Sequence, residues 1–259
     1  MRHRAEIPSG RPEGDPRDRG WFRARLRWPG PLAIVSGAIF IAAFALYRSG
    51  VTRGIDHDVQ VIVRSLHSGW LDQLGALDDA LFRATATVAA AFVLAIVLFV
   101  VGPRWSWCAP LAIGVAILGE ALVKNGWSQV LHPRALIDGM LVLFGGHYHA
   151  PASFPSGHVM RAIFLAVIAI AFLPRGVSIP FALLALTTPL ARMYTESHRL
   201  TDVLGGVALG TCVAFAAVWA VHALSTIEAR FGHWRGATAW VARRVSARVR
   251  PFTTAPPRT

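Results

Sequence analysis

Charged residues, lysine and cysteine are all scarce in this sequence. Asp, Glu, Lys and Arg make up only 15% of the 259 residues, whereas 54% are hydrophobic and the mean hydropathy is +0.47. So little charge excludes an ordinary soluble domain, in which about 25% of residues are charged. The two cysteines, Cys108 and Cys212, both lie in apolar runs, which excludes a scaffold held by disulfides. We therefore expect an integral membrane protein.

Six apolar runs predict the fold class, an all-α bundle of six transmembrane helices. The fifth run contains Pro180 and Pro189, which a packed bundle tolerates because neighbouring groups satisfy the freed backbone carbonyls. The sequence is divided into a flexible basic tail at 1–30, a six-span domain at 31–224 and a second basic tail at 225–259. The predicted spans are residues 31–47, 84–101, 108–123, 159–173, 177–189 and 204–224.

The distribution of basic residues predicts the orientation. Of the 26 Lys and Arg residues, 17 lie in the two tails and in the short turns that carry Arg104 and Arg175. The positive-inside rule then places both termini in the cytoplasm, in agreement with an even number of spans. The basic tails are predicted to face anionic lipid. No nucleic-acid partner is expected, because the tails lack a folded domain with aromatic residues between the basic ones.

With this topology, the loops after the third and fifth spans lie on the outer side, and both contain chemically reactive residues. His198 and Asp202 stand four residues apart, so one helical turn brings them face to face. A carboxylate that accepts from one imidazole nitrogen leaves the other nitrogen free to attack, which makes His198 a candidate nucleophile.

A second cluster precedes the fourth span in the order Pro155, Ser156, Gly157, His158. Ser156 and Gly157 fall where a helix begins, and the unpaired N–H groups of a helix start form an anion site. Glycine allows the backbone to approach an oxyanion closely, and His158 is placed to give a proton to a departing oxygen.

Lys124, the single lysine among the 26 basic residues, ends the third span. Its ammonium could bind a phosphate oxygen and Arg134 could add a two-pronged contact, while Glu120, one turn earlier, is the expected partner of Lys124. Arg161 reads by default as a side chain reaching the interface, with a phosphate contact as the alternative. Acidic residues in the first outer loop alternate with apolar ones and predict interfacial helices that shape lipid entry; they are Asp56, Asp58, Asp72, Asp78 and Asp79.

Together these residues resemble the type-2 phosphatidate phosphatase superfamily, which includes membrane lipid phosphate phosphatases and the soluble vanadium haloperoxidases. Pro-Ser-Gly-His is matched in full, and the pattern Ser-Arg, five residues, His, three residues, Asp is matched except that Ala191 replaces serine. The first motif, Lys, six residues, Arg-Pro, is matched loosely, because nine residues separate Lys124 from Arg134 and Ala135 follows the arginine.

The resemblance implies a role for each matched residue. His198 is the nucleophile, Asp202 orients it and His158 protonates the leaving group. Phosphate is bound without a metal or other cofactor by Lys124, Arg134, Ser156, Gly157 and Arg192, and water then hydrolyses the phosphohistidine. We expect a bell-shaped pH dependence that requires neutral His198 and protonated His158.

The resulting hypothesis is a phosphatase that hydrolyses a lipid phosphate or diphosphate, such as phosphatidate, phosphatidylglycerol phosphate or a polyprenyl diphosphate. Its expected location is the inner (plasma) membrane of a bacterium, with the site facing the periplasm or exterior. The alternatives are a lipid-phosphate binder or transporter without hydrolysis, and a phosphatase of a soluble ester. His147 and His149 resemble a metal pair, but without a third ligand of defined spacing they favour a loop over the site. The sequence leaves the oligomeric state open.

Overall fold

A computed structural model describes residues 28–66, 68–103, 105–125, 153–195 and 197–248. Within these residues the secondary structure is entirely helical, which agrees with the predicted fold class. The helices are α1 (Pro29–Ser49), α2 (Arg53–Arg64), α3 (Gly69–Phe82), α4 (Ala84–Val101), α5 (Cys108–Leu111), α6 (Ile113–Asn125), α7 (Gly157–Phe172), α8 (Arg175–Tyr194) and α9 (Leu200–Arg248).

Each of the six predicted spans falls on a helix, but not all are long enough to cross a bilayer as single helices. In the described residues, four stretches are long and apolar enough: α1, α4, α8 and residues Leu200–Glu228 of α9. The third predicted span is divided into α5 and α6 at Ala112, and α7 has only 16 residues. The structure thus supports an integral membrane protein, while six spans and cytoplasmic termini stay predictions.

Helix α7 is the centre of the bundle, because it is buried on nearly all sides. It packs mainly on α8, α4 and α6, and it also contacts α3 and α5. A helix that is apolar around its whole circumference is stable only when neighbouring elements cover it. By contrast, only Pro29, Ser36 and Ala43 are buried in α1, and many of its large apolar side chains are exposed, among them Ile34 and Ile41. The predicted catalytic segment at 155–158 therefore leads directly into the most buried helix.

Three glycines let α9 approach the start of α7. A Cβ on Gly206 would lie 2.6 Å from the carbonyl oxygen of Ser156 and 3.1 Å from Val159 Cβ. A Cβ on Gly210 would overlap the Met160 carbonyl oxygen, and one on Gly205 would overlap the Phe154 ring. Small residues at this spacing allow helix backbones to pack at close range in membranes. As a result, residues 153–158 lie against the first turns of α9, where Asp202 is found.

The chain divides into two compact units, residues 1–221 and 222–259. The second unit is helical through Arg248, the end of α9. A second basic tail is predicted at 225–259, and α9 continues into it through a segment rich in Ala and Arg, both strong helix formers.

Candidate active site

The predicted nucleophile and its carboxylate meet at the start of α9. His198 Nδ1 lies 3.6 Å from Asp202 Oδ2, slightly longer than a hydrogen bond, and catalytic contacts of this kind often shorten only when substrate binds. Asp202 is fully buried and fixed, since its carboxylate accepts bonds from Ser153 Oγ at 3.1 Å and from the Arg199 backbone N–H at 3.0 Å. The arrangement directs Nδ1 toward the carboxylate and leaves Nε2 of His198 for chemistry.

The second motif is joined to this pair through the backbone. The Ser156 N–H donates to the Asp202 carbonyl oxygen at 2.9 Å, and α7 begins at the next residue, Gly157. Ser156 is the N-cap of α7 but makes no capping bond with its side chain, and its buried Oγ has no hydrogen-bond partner among the described residues. A buried hydroxyl at a helix start, free of the usual capping bond, is suited to an oxyanion.

Arg192 lies at the end of α8 and is almost completely buried. Its Nε and Nη2 donate to Asp78 Oδ2 at 3.3 and 3.2 Å, while Nη1 donates to Asp79 Oδ1 at 2.8 Å. The backbone carbonyl of Arg192 also accepts the His198 N–H at 3.2 Å. Arg192 is therefore brought beside His198 and is oriented by two carboxylates of α3.

Glu120 connects Lys124 to the start of α7. Its Oε1 lies 2.8 Å from Lys124 Nζ, which confirms the expected pair, and a Cβ on Gly157 would overlap its carboxylate. Its Oε2 accepts a bond of 3.1 Å from Arg161, which also donates to the Phe82 carbonyl oxygen at 3.3 Å. Arg161 is only 5% exposed, so the interpretation of a side chain reaching the interface is wrong, and its role is to join α3, α6 and α7.

Three residues of interest between Asn125 and Ser153 lie outside the described residues. They are Arg134, His147 and His149. The phosphate-binding role of Arg134 accordingly stays a prediction, and so does the interpretation of the two histidines.

Sequence reasoning missed the acidic pair of α3. Asp78 and Asp79 were interpreted only as part of an interfacial helix, yet Asp79 Oδ1 contacts both Arg192 Nη1 and His158 Nε2, the latter at 3.3 Å. One signal was available: two adjacent acids in an otherwise apolar stretch next to a span need cationic partners. Arg192 is more than 100 residues away in the chain and His158 lies on another helix, so the sequence could not name these two partners.

The surroundings of Asp79 and His158 decide their charge in the free protein. Burial would raise the pKa of Asp79, but hydrogen bonds from Arg192 and Arg83 outweigh it and hold the pKa below its usual value of 3.8. His158 precedes the apolar run of α7, and burial, reinforced by the positive charges of Arg161 and Arg192, lowers its pKa to about 2, while Asp79 opposes that shift. His158 is therefore a neutral imidazole at neutral pH before substrate binds.

One known family matches a part of this chain that includes the site. Residues 105–225 match the model of the PAP2 superfamily, the family of type-2 phosphatidate phosphatases, so the resemblance drawn from the motifs is confirmed. The matched range contains the three motifs and the helices from α5 to the membrane part of α9. No curated protein sequence matches the chain.

A solved structure shares the fold. It is the crystal structure of a transmembrane PAP2-type phosphatidylglycerolphosphate phosphatase from Bacillus subtilis, and the similarity has a TM-score of 0.56 at 21% sequence identity. The alignment covers 72% of this chain and 94% of the Bacillus chain. The common fold thus extends beyond the motifs to nearly the whole of that protein.

Proposed function

We propose that the protein is a membrane phosphatase that transfers the phosphoryl group of a lipid phosphate to His198 and then to water. The observation that carries the proposal is the meeting of the His198 and Asp202 pair, the start of α7 and Arg192 in one partly buried site. Phosphoryl transfer needs little besides positioning and donors for the equatorial oxygens, and this site supplies both.

The chemistry follows from the positions of the groups. In the first step, Nε2 of His198 attacks phosphorus, the ester P–O bond breaks and His158 gives a proton to the departing oxygen. Arg192, Lys124, the hydroxyl of Ser156 and the N–H groups at the start of α7 hold the phosphoryl oxygens. In the second step, water attacks phosphorus, its proton passes to His158, the P–N bond breaks and inorganic phosphate leaves.

An apolar cavity beside the site supports a lipid substrate. It has a volume of about 410 Å³, and its lining includes Leu74, Leu77 and Leu190. A polar pocket of about 390 Å³, lined in part by Asp79 and Arg192, shares Gly75 and Tyr194 with this cavity. An acyl or prenyl chain in the apolar cavity would leave its phosphate near Arg192. We propose that the end of the bundle that holds the site faces the outer side of a bacterial inner membrane, because the distribution of basic residues favours cytoplasmic termini.

The lowered pKa of His158 predicts the pH dependence of kcat/KM. Because the imidazole is neutral in the free protein, its proton must come from the substrate, as the monoanion of a phosphate monoester, whose second pKa is about 6. As pH rises above that value the substrate loses this proton, so kcat/KM should fall about tenfold per pH unit. Initial rates between pH 4 and 9 will test this.

A kcat/KM that stays constant up to pH 8 would contradict this source of the proton. His158→Gln serves as the comparison, because its residual activity should lose the decline above pH 6. The bell-shaped profile expected from the sequence assumed a histidine that is protonated before substrate binds. We infer instead that the required proton comes with the substrate, because the pKa of His158 is lowered in the free protein.

A pocket lined by three arginines, one of which directly follows His198 in the chain, favours a substrate with a second anionic group. Arg48, Arg53 and Arg199 line a cavity of about 220 Å³, and none of the three has a side-chain ion pair among the described residues. Asp56, also in the lining, has both oxygens engaged by Thr201. Guanidinium groups without carboxylate partners are suited to a phosphate.

The double substitution Arg48→Gln and Arg53→Gln should therefore raise KM about tenfold for a lipid that carries two phosphates. For a lipid with one phosphate, KM should change less than about twofold, since the scissile group is bound elsewhere. Steady-state kinetics with phosphatidate and with a polyprenyl diphosphate will measure the difference, with Arg175→Gln as the control. Equal effects on both lipids would contradict a second anion site.

A further inference from the structure

Asp79 contacts Arg192 and His158, the two groups that a substrate phosphate needs. The same oxygen, Oδ1, lies 2.8 Å from Arg192 Nη1 and 3.3 Å from His158 Nε2. The proposed mechanism assigns these two groups to a phosphoryl oxygen and to the leaving oxygen. Carboxylate and phosphate oxygens accept the same charge-assisted bonds, so Asp79 and the substrate compete for the same donors.

The neighbouring Asp78 has a different, fixed position. Its Oδ1 accepts a bond of 2.7 Å from Thr188, and its Oδ2 accepts the bonds from Nε and Nη2 of Arg192. The side chains of Asp78 and Arg192 are each 4% exposed, and this pair orients the guanidinium so that Nη1 faces Asp79. Of the two carboxylates on Arg192, Asp79 is therefore the one that can exchange with a substrate.

Asp79 has a second partner, Arg83, which can still pair with its carboxylate after Arg192 is released. Its side chain is 32% exposed and lies in the wall of the polar pocket, together with Arg83. Arg83, which is 65% exposed, contacts the other oxygen, Oδ2, through Nε at 2.8 Å and Nη2 at 2.7 Å. Rotation of the Asp79 carboxylate toward Arg83 would free Arg192 and His158 without leaving a buried charge unpaired.

We propose that Asp79 is a positioning residue that holds Arg192 and His158 in the free protein and yields them to the substrate phosphate. The proposal rests on the phosphatase function above and adds a residue outside the three motifs. While Asp79 is in place, a phosphate must displace it or bind close to its negative charge, which weakens binding. In return, the negative charge beside His158 favours the protonated imidazole that the leaving oxygen requires.

The substitution Asp79→Asn tests the two effects together, because it removes the charge and nearly preserves the shape. Inorganic phosphate should bind about tenfold more tightly, both as a competitive inhibitor and in calorimetric titration. KM should fall because no carboxylate charge competes with the substrate for Arg192. The value of kcat should fall as well, because His158 loses the negative charge that favours its protonated form. A merely structural role would not lower KM. Asp79→Glu should restore part of the wild-type kcat.

Asp58→Asn is the matched control, since it removes an exposed carboxylate of α2 and should leave phosphate binding unchanged. Phosphate binding that is unchanged or weaker in folded Asp79→Asn would overturn the proposal. If Asp79→Asn does not fold, Arg83→Gln tests the proposal instead. Because Asp79 then lacks its second partner, phosphate binding should weaken about threefold, and unchanged binding would overturn the proposal. A wild type that binds phosphate but hydrolyses no ester would refute the phosphatase function, while the binding comparison would still decide the role of Asp79.

Discussion

Replacement of His198 by alanine should abolish phosphate release, with kcat lowered by about 10⁴-fold or more, because the variant lacks the proposed nucleophile. Binding of the lipid phosphate should change only a few fold, since Arg192, Lys124 and the start of α7 remain. The measurement is phosphate release from short-chain phosphatidate and from a polyprenyl diphosphate, in detergent and with a chelator present. Release by the wild type should resist the chelator.

His57→Ala provides the control, because His57 is an exposed histidine of α2. Its activity should equal that of the wild type. Release that survives His198→Ala would refute histidine catalysis, and release that the chelator abolishes would refute the metal-free mechanism. If the folded wild type releases no phosphate from either lipid but binds both, the alternative of a non-hydrolytic binder or transporter is favoured.

The helices of the bundle were predictable from sequence because long apolar runs in a chain this hydrophobic have few other stable forms. The division of the third span into two helices was not predictable. Pro110 cannot donate a backbone hydrogen bond, and the helix is interrupted two residues later at Ala112. An apolar run shows where the chain is in the membrane, but a local break of this kind depends on packing against α4 and α7.

The motif residues of the site were predictable for a different reason. His198 and Asp202 are one helical turn apart, and Glu120 and Lys124 are as well, so local spacing alone brings each pair into contact. The position of Arg192 beside His198 follows from their nearness in the chain. These contacts need no knowledge of how the helices pack.

Contacts between distant segments could not be predicted. Arg192 and His158 meet Asp79 only because α3 packs against α7 and α8. Arg161 shows the same limit, since its partners Glu120 and Phe82 come from two other helices. An arginine in an apolar helix can either reach the interface or pair inside the bundle, and tertiary packing decides between them.

Gly157→Ala should lower kcat/KM by about 100-fold and destabilise the protein by about 1–3 kcal/mol, the usual cost of overpacking. The added Cβ would lie 2.5 Å from Glu120 Cδ, so the carboxylate must move. Because Glu120 pairs with both Lys124 and Arg161, its movement shifts the ammonium proposed to hold a phosphoryl oxygen. Kinetics and thermal unfolding in detergent will measure both effects.

The control and the rescue come from the same geometry. Gly176→Ala adds a Cβ with no heavy atom within 4 Å, and it should leave activity and stability unchanged. In the double variant Gly157→Ala and Glu120→Asp, the shorter acid makes room for the methyl group and should recover part of the lost stability. Full activity of Gly157→Ala alone would show that the contact between α6 and the start of α7 does not position Lys124 for catalysis.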